Sequence, residues 1–233
     1  MKIITVENQE QGAQQVLEIM TEQLDAGKLD VLGLATGSTM IPIYEKWVDS
    51  DLSFENVTTF NLDEYVGLDR KNKNSYSFFM DEHLFDKKKF KNTHVPNGVA
   101  EDLEAECVSY EELLREYPLD IQFLGIGVNG HIAFNEPGTS FDSVTHVANL
   151  TASTLGANSQ FFGDDEKIPT TALSMGISSV LAAKKIILLV FGDHKRFALE
   201  KLMEGKVTTE YPVTALIEHS DVTVITDIKN LEA

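Results

Sequence analysis

Two carboxylate side chains follow one apolar run of the sequence. Residues 61–65 include the consecutive Asp63 and Glu64, and a carboxylate can take up a proton and return it. In an extended backbone these two side chains point to opposite sides, so only one of them can face a given cleft. Asp63 is a candidate base, although an Asx-turn at the end of a strand is the simpler interpretation.

A second segment, residues 125–138, contains His131 and Glu136. Its first residues fit the dinucleotide fingerprint G-x-G-x-x-G, but it runs into Pro137 instead of opening a helix, which disfavours a nucleotide cofactor. Because the proline restricts Glu136 to an extended backbone, His131 and Glu136 form a candidate acid-base pair. A metal site that adds Asp63 to these two residues is disfavoured, because the spacing fits no metal-binding signature. We expect neither a metal nor a cofactor.

A turn of small residues offers a site for phosphate. It lies between an apolar strand and a helical pattern at 43–48, and its residues are Thr36, Gly37, Ser38 and Thr39. The start of a helix binds anions through backbone N–H groups, although Ser and Thr equally cap helices. The lysine pattern of nucleoside triphosphate sites is absent, so a sugar phosphate fits better. Lys195 follows a later strand, where a plain surface lysine is the alternative.

Short apolar runs alternate with amphipathic stretches along the chain, which predicts an α/β fold. Strands are expected at 3–6, 31–35, 57–62, 121–126, 185–191 and 222–226, and helices at 76–85 and 103–117. Runs such as 186–190 are apolar on both faces, as in strands covered by helices on both sides. We therefore expect one doubly wound, mostly parallel, Rossmann-like sheet in a single domain over residues 1–233, with loops at 127–145 and 158–170.

Composition limits the partners. With 19 basic against 37 acidic residues, the net charge of -18 has the wrong sign for nucleic acid. No apolar stretch approaches the roughly 20 residues that span a bilayer, and no signal peptide opens the chain, so we expect a cytoplasmic protein without a membrane partner. The single cysteine, Cys107, lies among acidic residues that oppose thiolate formation, and we expect no chemical role for it.

Four motifs together resemble one family. They are LGLATGST at 32–39, NLDEYVGL at 61–68, GIGVNGHIAFNEPG at 125–138 and ANSQFF at 157–162. In this order the chain resembles the glucosamine-6-phosphate deaminases of the glucosamine/galactosamine-6-phosphate isomerase family over nearly its whole length. The related 6-phosphogluconolactonases usually differ after the Gly-His pair and carry Asp-Glu-Arg where this chain has Asp-Glu-Tyr.

The resemblance implies a reaction, the conversion of glucosamine 6-phosphate and water to fructose 6-phosphate and ammonia. It implies that Asp63 removes the C2 proton and returns it to C1 through a cis-enolamine. His131 is expected to assist opening of the sugar ring, with Glu136 and Asn129 orienting the imidazole. Long-form relatives often have aspartate where this chain has Asn129, and an amide orients the ring without offsetting its charge.

The resemblance also implies a phosphate site on residues 36–39 and Lys195, with one departure. Where relatives place an arginine, this chain has Gln160, which offers only neutral donors. A charge-assisted hydrogen bond exceeds a neutral one by on the order of 1 to 2 kcal/mol. We expect substrate affinity to be weaker by roughly 5- to 30-fold.

The chain looks like a short, non-allosteric member. Long-form relatives extend beyond the position of Ala233 and have a basic residue where this chain has Leu155. We expect hyperbolic kinetics and a monomer or small homo-oligomer. The alternatives are a lactonase-like hydrolase, an isomerase of a non-amino sugar phosphate, or a sugar-phosphate sensor domain; ammonia release separates the first two from the deaminase.

Overall fold

The computed structural model describes residues 1–159, 162–163 and 166–231. Ten strands are present in this part of the chain: β1 Lys2–Thr5, β2 Val31–Leu34, β3 Phe54–Asn61, β4 Asp63–Tyr65, β5 Phe90–His94, β6 Ile121–Leu124, β7 His146–Asn149, β8 Thr171–Ser174, β9 Lys185–Val190 and β10 Val222–Thr226. The six strands expected from the sequence are all found, with ends that differ by up to three residues.

Seven strands form one parallel sheet in the order β1-β10-β9-β6-β2-β3-β5. From β2 the chain builds outward through β3 and β5, then returns to β6 on the other side and builds outward again. The order therefore reverses between β2 and β6, and the crevice at such a switch point is where open α/β sheets bind ligands. The expected doubly wound, mostly parallel sheet is confirmed.

Helices surround this sheet. They are α1 Gln9–Asp25, α2 Ile41–Asp49, α3 Tyr76–Met80, α4 Leu103–Glu116, α5 Ala152–Asn158, α6 Ile177–Leu181 and α7 Arg196–Met203. A π-helical turn, Asp81–Phe85, continues α3, and the 3₁₀ turn Asp193–Lys195 precedes α7. Buried residues of the helices, such as Met20, Trp47 and Leu199, join the strands in the main core. None of the described helices has the length and apolar character needed to cross a bilayer.

A second, three-stranded antiparallel sheet was not expected from the sequence. Its central strand β8 pairs with β4 on one side and β7 on the other. Asp63 pairs with Ser174 in this sheet, so the chain does not form an Asx-turn after β3 but enters a new strand. A small aromatic core of Tyr65, Phe134 and their neighbours packs at this sheet. The second sheet thus fixes the backbone that carries Asp63.

Candidate active site

A cleft of about 710 Å³ opens beyond the carboxyl ends of β2, β6 and β9. Its wall includes residues 36–39, Asp63, His131 and Lys195, which the sequence placed in separate motifs. Asn129 and Glu136 lie behind His131 and touch it instead of lining the cleft. Gln160 lies outside the described residues.

Asp63 is the buried acid of the cleft, with 7% of its surface exposed. Within the described part of the chain no group donates a hydrogen bond to its carboxylate. Burial, and secondarily the charge of Glu64, raise the pKa of Asp63 to about 8. A carboxyl group with such a pKa can exchange a proton with a substrate near neutral pH.

Glu64 points away from the cleft and has a structural role. Its Oε1 accepts hydrogen bonds from the backbone N–H groups of Tyr65 and Tyr76, both at 2.9 Å, and its Oε2 accepts one from Ser77 at 2.8 Å. These bonds hold the first turn of α3 against β4. The two consecutive carboxylates therefore separate into one that faces the cleft and one that supports it.

His131, Asn129 and Glu136 form a chain of contacts. Asn129 Nδ2 donates to Glu136 Oε2 at 2.9 Å, and Asn129 Oδ1 lies 2.7 Å from His131 Nδ1. His131 Nδ1 is also 3.5 Å from Glu136 Oε2. Because the carboxylate can only accept, the amide must turn its oxygen to the imidazole. His131 therefore carries its proton on Nδ1 when neutral, which leaves Nε2 as a proton acceptor.

The loop that carries these residues is shaped by close contacts. A side chain at position 127 would place its Cβ 2.2 to 2.5 Å from the His131 ring, so any larger residue there would displace the imidazole. Ala133 has φ 49°, a left-handed conformation that costs roughly 1 to 2 kcal/mol in an L-residue. The buried Asn135 holds this turn by donating to the carbonyl groups of Ile132 and Met175 at 2.9 and 2.8 Å.

The other oxygen of Glu136 binds the start of α5. Thr154 donates its hydroxyl hydrogen to Glu136 Oε1, and the backbone N–H of Thr151 donates to the same atom at 3.3 Å. Although burial opposes ionisation, hydrogen bonds and the nearby His131 lower the pKa of Glu136 to about 2. Glu136 is therefore a carboxylate throughout the physiological pH range. Sequence reasoning missed Thr154, since nothing in the spacing of 136 and 154 indicates contact.

The turn at residues 36–39 presents free donors to the cleft. Gly37 has φ 99°, which favours glycine, and Gln9 Nε2 holds the turn by donating to the carbonyl groups of Ser38 and Thr39 at 2.8 and 3.2 Å. No side chain caps α2 at Met40. Within the described residues the hydroxyl groups of Thr36, Ser38 and Thr39 make no hydrogen bond. The capping interpretation therefore does not hold here, and the turn suits an anion.

Lys195 lies on the other side of the switch point and lines the same cleft as this turn. Its Nζ donates to the carbonyl of Ile126 at 2.7 Å, and burial lowers the pKa of its ammonium group. Lys195 precedes α7 at the end of a 3₁₀ turn. It is thus a half-buried cation in the cleft wall and not the plain surface lysine that was the alternative.

The described residues contain no cluster of three or more His, Cys, Asp or Glu placed to hold a metal ion. Cys107 is buried in α4 away from the cleft lining, and burial together with Glu104 and Glu106 raises the pKa of its thiol to about 11. The groups that line the cleft can transfer protons beside a turn that suits an anion.

Comparison with known proteins gives a consistent result. Residues 6–225 match the family model described as glucosamine-6-phosphate isomerases/6-phosphogluconolactonase. The chain is 54% identical to a glucosamine-6-phosphate deaminase of Listeria monocytogenes (strain HCC23), over 97% of both chains. It is 52% identical to one of Streptococcus sanguinis (strain SK36), over 97% of this chain and 96% of the relative.

Solved structures extend the comparison. A monomeric glucosamine-6-phosphate deaminase superposes with a TM-score of 0.94 at 43% identity, over 97% of each chain. The 6-phosphogluconolactonase of Leishmania guyanensis superposes with a TM-score of 0.79 at 19% identity, over 100% of this chain and 99% of the other. At that identity the second similarity concerns the fold alone.

Proposed function

The chain belongs to the family of glucosamine-6-phosphate isomerases and 6-phosphogluconolactonases, and we propose that it converts glucosamine 6-phosphate and water to fructose 6-phosphate and ammonia. The observation that carries this function is the pairing, in one cleft, of a buried Asp63 with a pKa of about 8 and an imidazole whose acceptor nitrogen is free. The deamination requires both a base at C2 and a group that opens the ring.

The substrate phosphate binds at the turn 36–39. The free backbone N–H groups and hydroxyls there donate to its oxygens, and Lys195 adds a positive charge. Anchoring one end of the sugar orients the other end toward Asp63 and His131. The net charge of -18 makes such short-range contacts necessary, since the overall field repels the substrate.

His131 opens the sugar ring. Its Nε2 accepts the proton of the anomeric hydroxyl and delivers it to the ring oxygen, so that the C1 aldehyde forms. The imidazolium formed between these transfers is stabilised by Glu136, whose Oε2 lies 3.5 Å from Nδ1. Asn129 keeps the ring in the required tautomer.

Asp63 then moves one proton between neighbouring carbons. The carboxylate takes the C2 proton while the C1 carbonyl oxygen takes a proton from a water molecule, which gives the cis-enolamine. Return of the proton to C1 produces an imine at C2, and water adds to it and expels ammonia. One carboxylate serves for both transfers because it lies on one face of the substrate.

A lactonase-like hydrolysis is less well supported. The deaminase relatives are about half identical to this chain, whereas the 6-phosphogluconolactonase of Thermotoga maritima shares 18% identity. Lactone hydrolysis also needs no base at C2, so Asp63 would have no role in that reaction.

Further properties belong to this proposal. A single domain over residues 1–233 acts as a monomer or small homo-oligomer in the cytoplasm, without allosteric activation. The monomeric structural relative supports the oligomeric state. Gln160 in place of an arginine weakens the affinity for phosphate. Neither a cofactor nor a metal takes part in the proton transfers described.

A panel of three sugar phosphates tests the function. Purified protein is incubated with glucosamine 6-phosphate, 6-phosphogluconolactone or glucose 6-phosphate, and ammonia, acid and ketose are measured separately. We expect ammonia and fructose 6-phosphate in equal amounts from the first compound alone. Acid released only from the lactone would replace the proposal by the hydrolase alternative, and binding without turnover would favour a sensor.

A further inference from the structure

Two side chains on one face of helix α5 contact the two parts of the cleft that carry His131 and Asp63. Thr154 and Asn158 are four residues apart, which places them one turn above each other. Thr154 donates to Glu136, and Asn158 Nδ2 donates to the hydroxyl of Tyr65 at 2.7 Å. Glu136 belongs to the His131 network, and Tyr65 lies on the strand that begins at Asp63.

In the hydrogen bond between Thr154 and Glu136, the threonine hydroxyl is the donor. Its hydroxyl is buried, with 3% of the residue exposed, and accepts a hydrogen bond from the Thr151 hydroxyl at 3.3 Å. The single hydrogen of the Thr154 hydroxyl therefore points to Glu136 Oε1. Oε2 of the same carboxylate holds Asn129, so a rotation of Glu136 about its carboxyl axis would disturb the amide that sets the His131 tautomer.

The Asn158 contact acts on the second sheet. Tyr65 packs against Tyr76 and Phe134, with ring centroids 4.8 and 5.6 Å apart. Its hydroxyl accepts from Asn158 and also from Tyr76 at 3.3 Å. These contacts anchor β4 at the residue two positions after Asp63.

We propose that α5 holds His131 and Asp63 in fixed positions relative to each other. Thr154 is the positioning residue for His131, and Asn158 is the positioning residue for Asp63. The inference rests on the proposed deamination. Neither side chain has to touch the reacting atoms. Loss of either contact lowers the rate of the bound complex more than it weakens binding of the substrate.

The test compares three threonine variants. Thr154→Val keeps the shape and removes the donor, Thr154→Ser keeps the donor, and Thr145→Val is the matched control. Thr145 is also buried and donates its hydroxyl to a buried glutamate, Glu111, at 2.8 Å, but it does not line the cleft. The readouts are kcat and KM for ammonia release, the thermal midpoint, and the ¹⁵N spectrum of His131.

We expect Thr154→Val to lower kcat about 10-fold or more with KM within about twofold, and to increase the Nε2–H tautomer of His131. Thr154→Ser should restore most of kcat. Thr145→Val should lower the thermal midpoint and leave kcat and the spectrum unchanged. An unchanged kcat and tautomer in Thr154→Val overturn the inference, as does a rise in KM alone, which marks a substrate contact.

Asn158→Leu tests the other contact and keeps the inference falsifiable if Thr154→Val does not fold. We expect a lower kcat with the His131 tautomer unchanged, because this contact acts through Tyr65. A kcat equal to that of the natural chain overturns the role of Asn158. Failure of the proposed function is a separate result, since it appears as no ammonia from the natural chain.

Discussion

The side-chain oxygen of Asn129 lies 2.7 Å from Nδ1 of His131. The orientation of this amide is not free, because its nitrogen donates to a carboxylate on the other side. A neutral amide thus sets the proton position of the imidazole, and it does so without placing a second negative charge beside Glu136.

Replacement of this amide gives the first prediction. Asn129→Leu removes the acceptor for the Nδ1 proton, so the His131 tautomer is no longer fixed. We expect kcat to fall by about 10- to 100-fold with a smaller change in KM, because ring opening and not binding is affected. Steady-state kinetics with Asn129→Gln as the amide control measures the effect. Equal kcat in Asn129→Leu and the natural chain would contradict the role of Asn129.

The pH dependence of the rate follows from the pKa of Asp63. Because that pKa is raised to about 8, the free enzyme gains the ionised base as the pH rises. We expect kcat/KM to increase about tenfold per pH unit below about 8, after correction for ionisation of the substrate. The measurement is kcat/KM from pH 5 to 9. An ionisation near the ordinary pKa of aspartate would show that Asp63 is not the titrating base.

The same shift makes Asp63 a source of instability. Its pKa is raised on folding, so the folded state holds a proton that the unfolded state loses above pH 4. Stability therefore falls as the pH rises from about 4 to 8, by on the order of 5 kcal/mol for a shift of this size.

We expect Asp63→Asn to remove this loss. The gain in thermal midpoint over the natural chain should be larger at pH 8 than at pH 5, by about 7 to 15 °C. Thermal unfolding followed by circular dichroism at both pH values measures it. Glu18→Gln, at an exposed position of α1, controls for the loss of one negative charge. A gain independent of pH would mean that the carboxyl group ionises freely in the fold.

A prediction for phosphate affinity concerns Gln160. Gln160→Arg adds the charged donor that the family resemblance implies at this position, and we expect KM to fall by roughly 5- to 30-fold with little change in kcat. Ser159→Arg adds the same charge at the neighbouring exposed position and serves as the control. A similar fall in both variants would assign the effect to the general field of this acidic protein, and no fall in Gln160→Arg would remove the hypothesis.

Much of the main sheet could be predicted from the sequence because its strands are buried on both faces and read as apolar runs. Strand β5 was missed, since three of its five residues are exposed at an edge of the sheet. Strand β4 was missed because Asp63 and Glu64 are unusual in a strand. The pairing of β4 with β8 joins segments about 110 residues apart, which no local pattern indicates.

The site residues also divide into those that the local sequence indicates and those that depend on contacts between distant segments. The His131 and Glu136 pair could be found because a turn and a proline fix local geometry around them. The roles of Glu64 and Thr154 could not be found, because both depend on contacts between separate elements. Glu64 binds backbone N–H groups more than ten residues away, and Thr154 reaches a carboxylate 18 positions earlier.

The role of Asp63 in the deamination is tested by measuring ammonia and fructose 6-phosphate released from glucosamine 6-phosphate by the natural chain and by Asp63→Asn, side by side at saturating substrate. We expect equal amounts of both products from the natural chain and a loss of at least about two orders of magnitude in the variant, whose fold is retained. No ammonia from the natural chain would overturn the deaminase function, and a variant that turns over as fast would show that Asp63 is not the base.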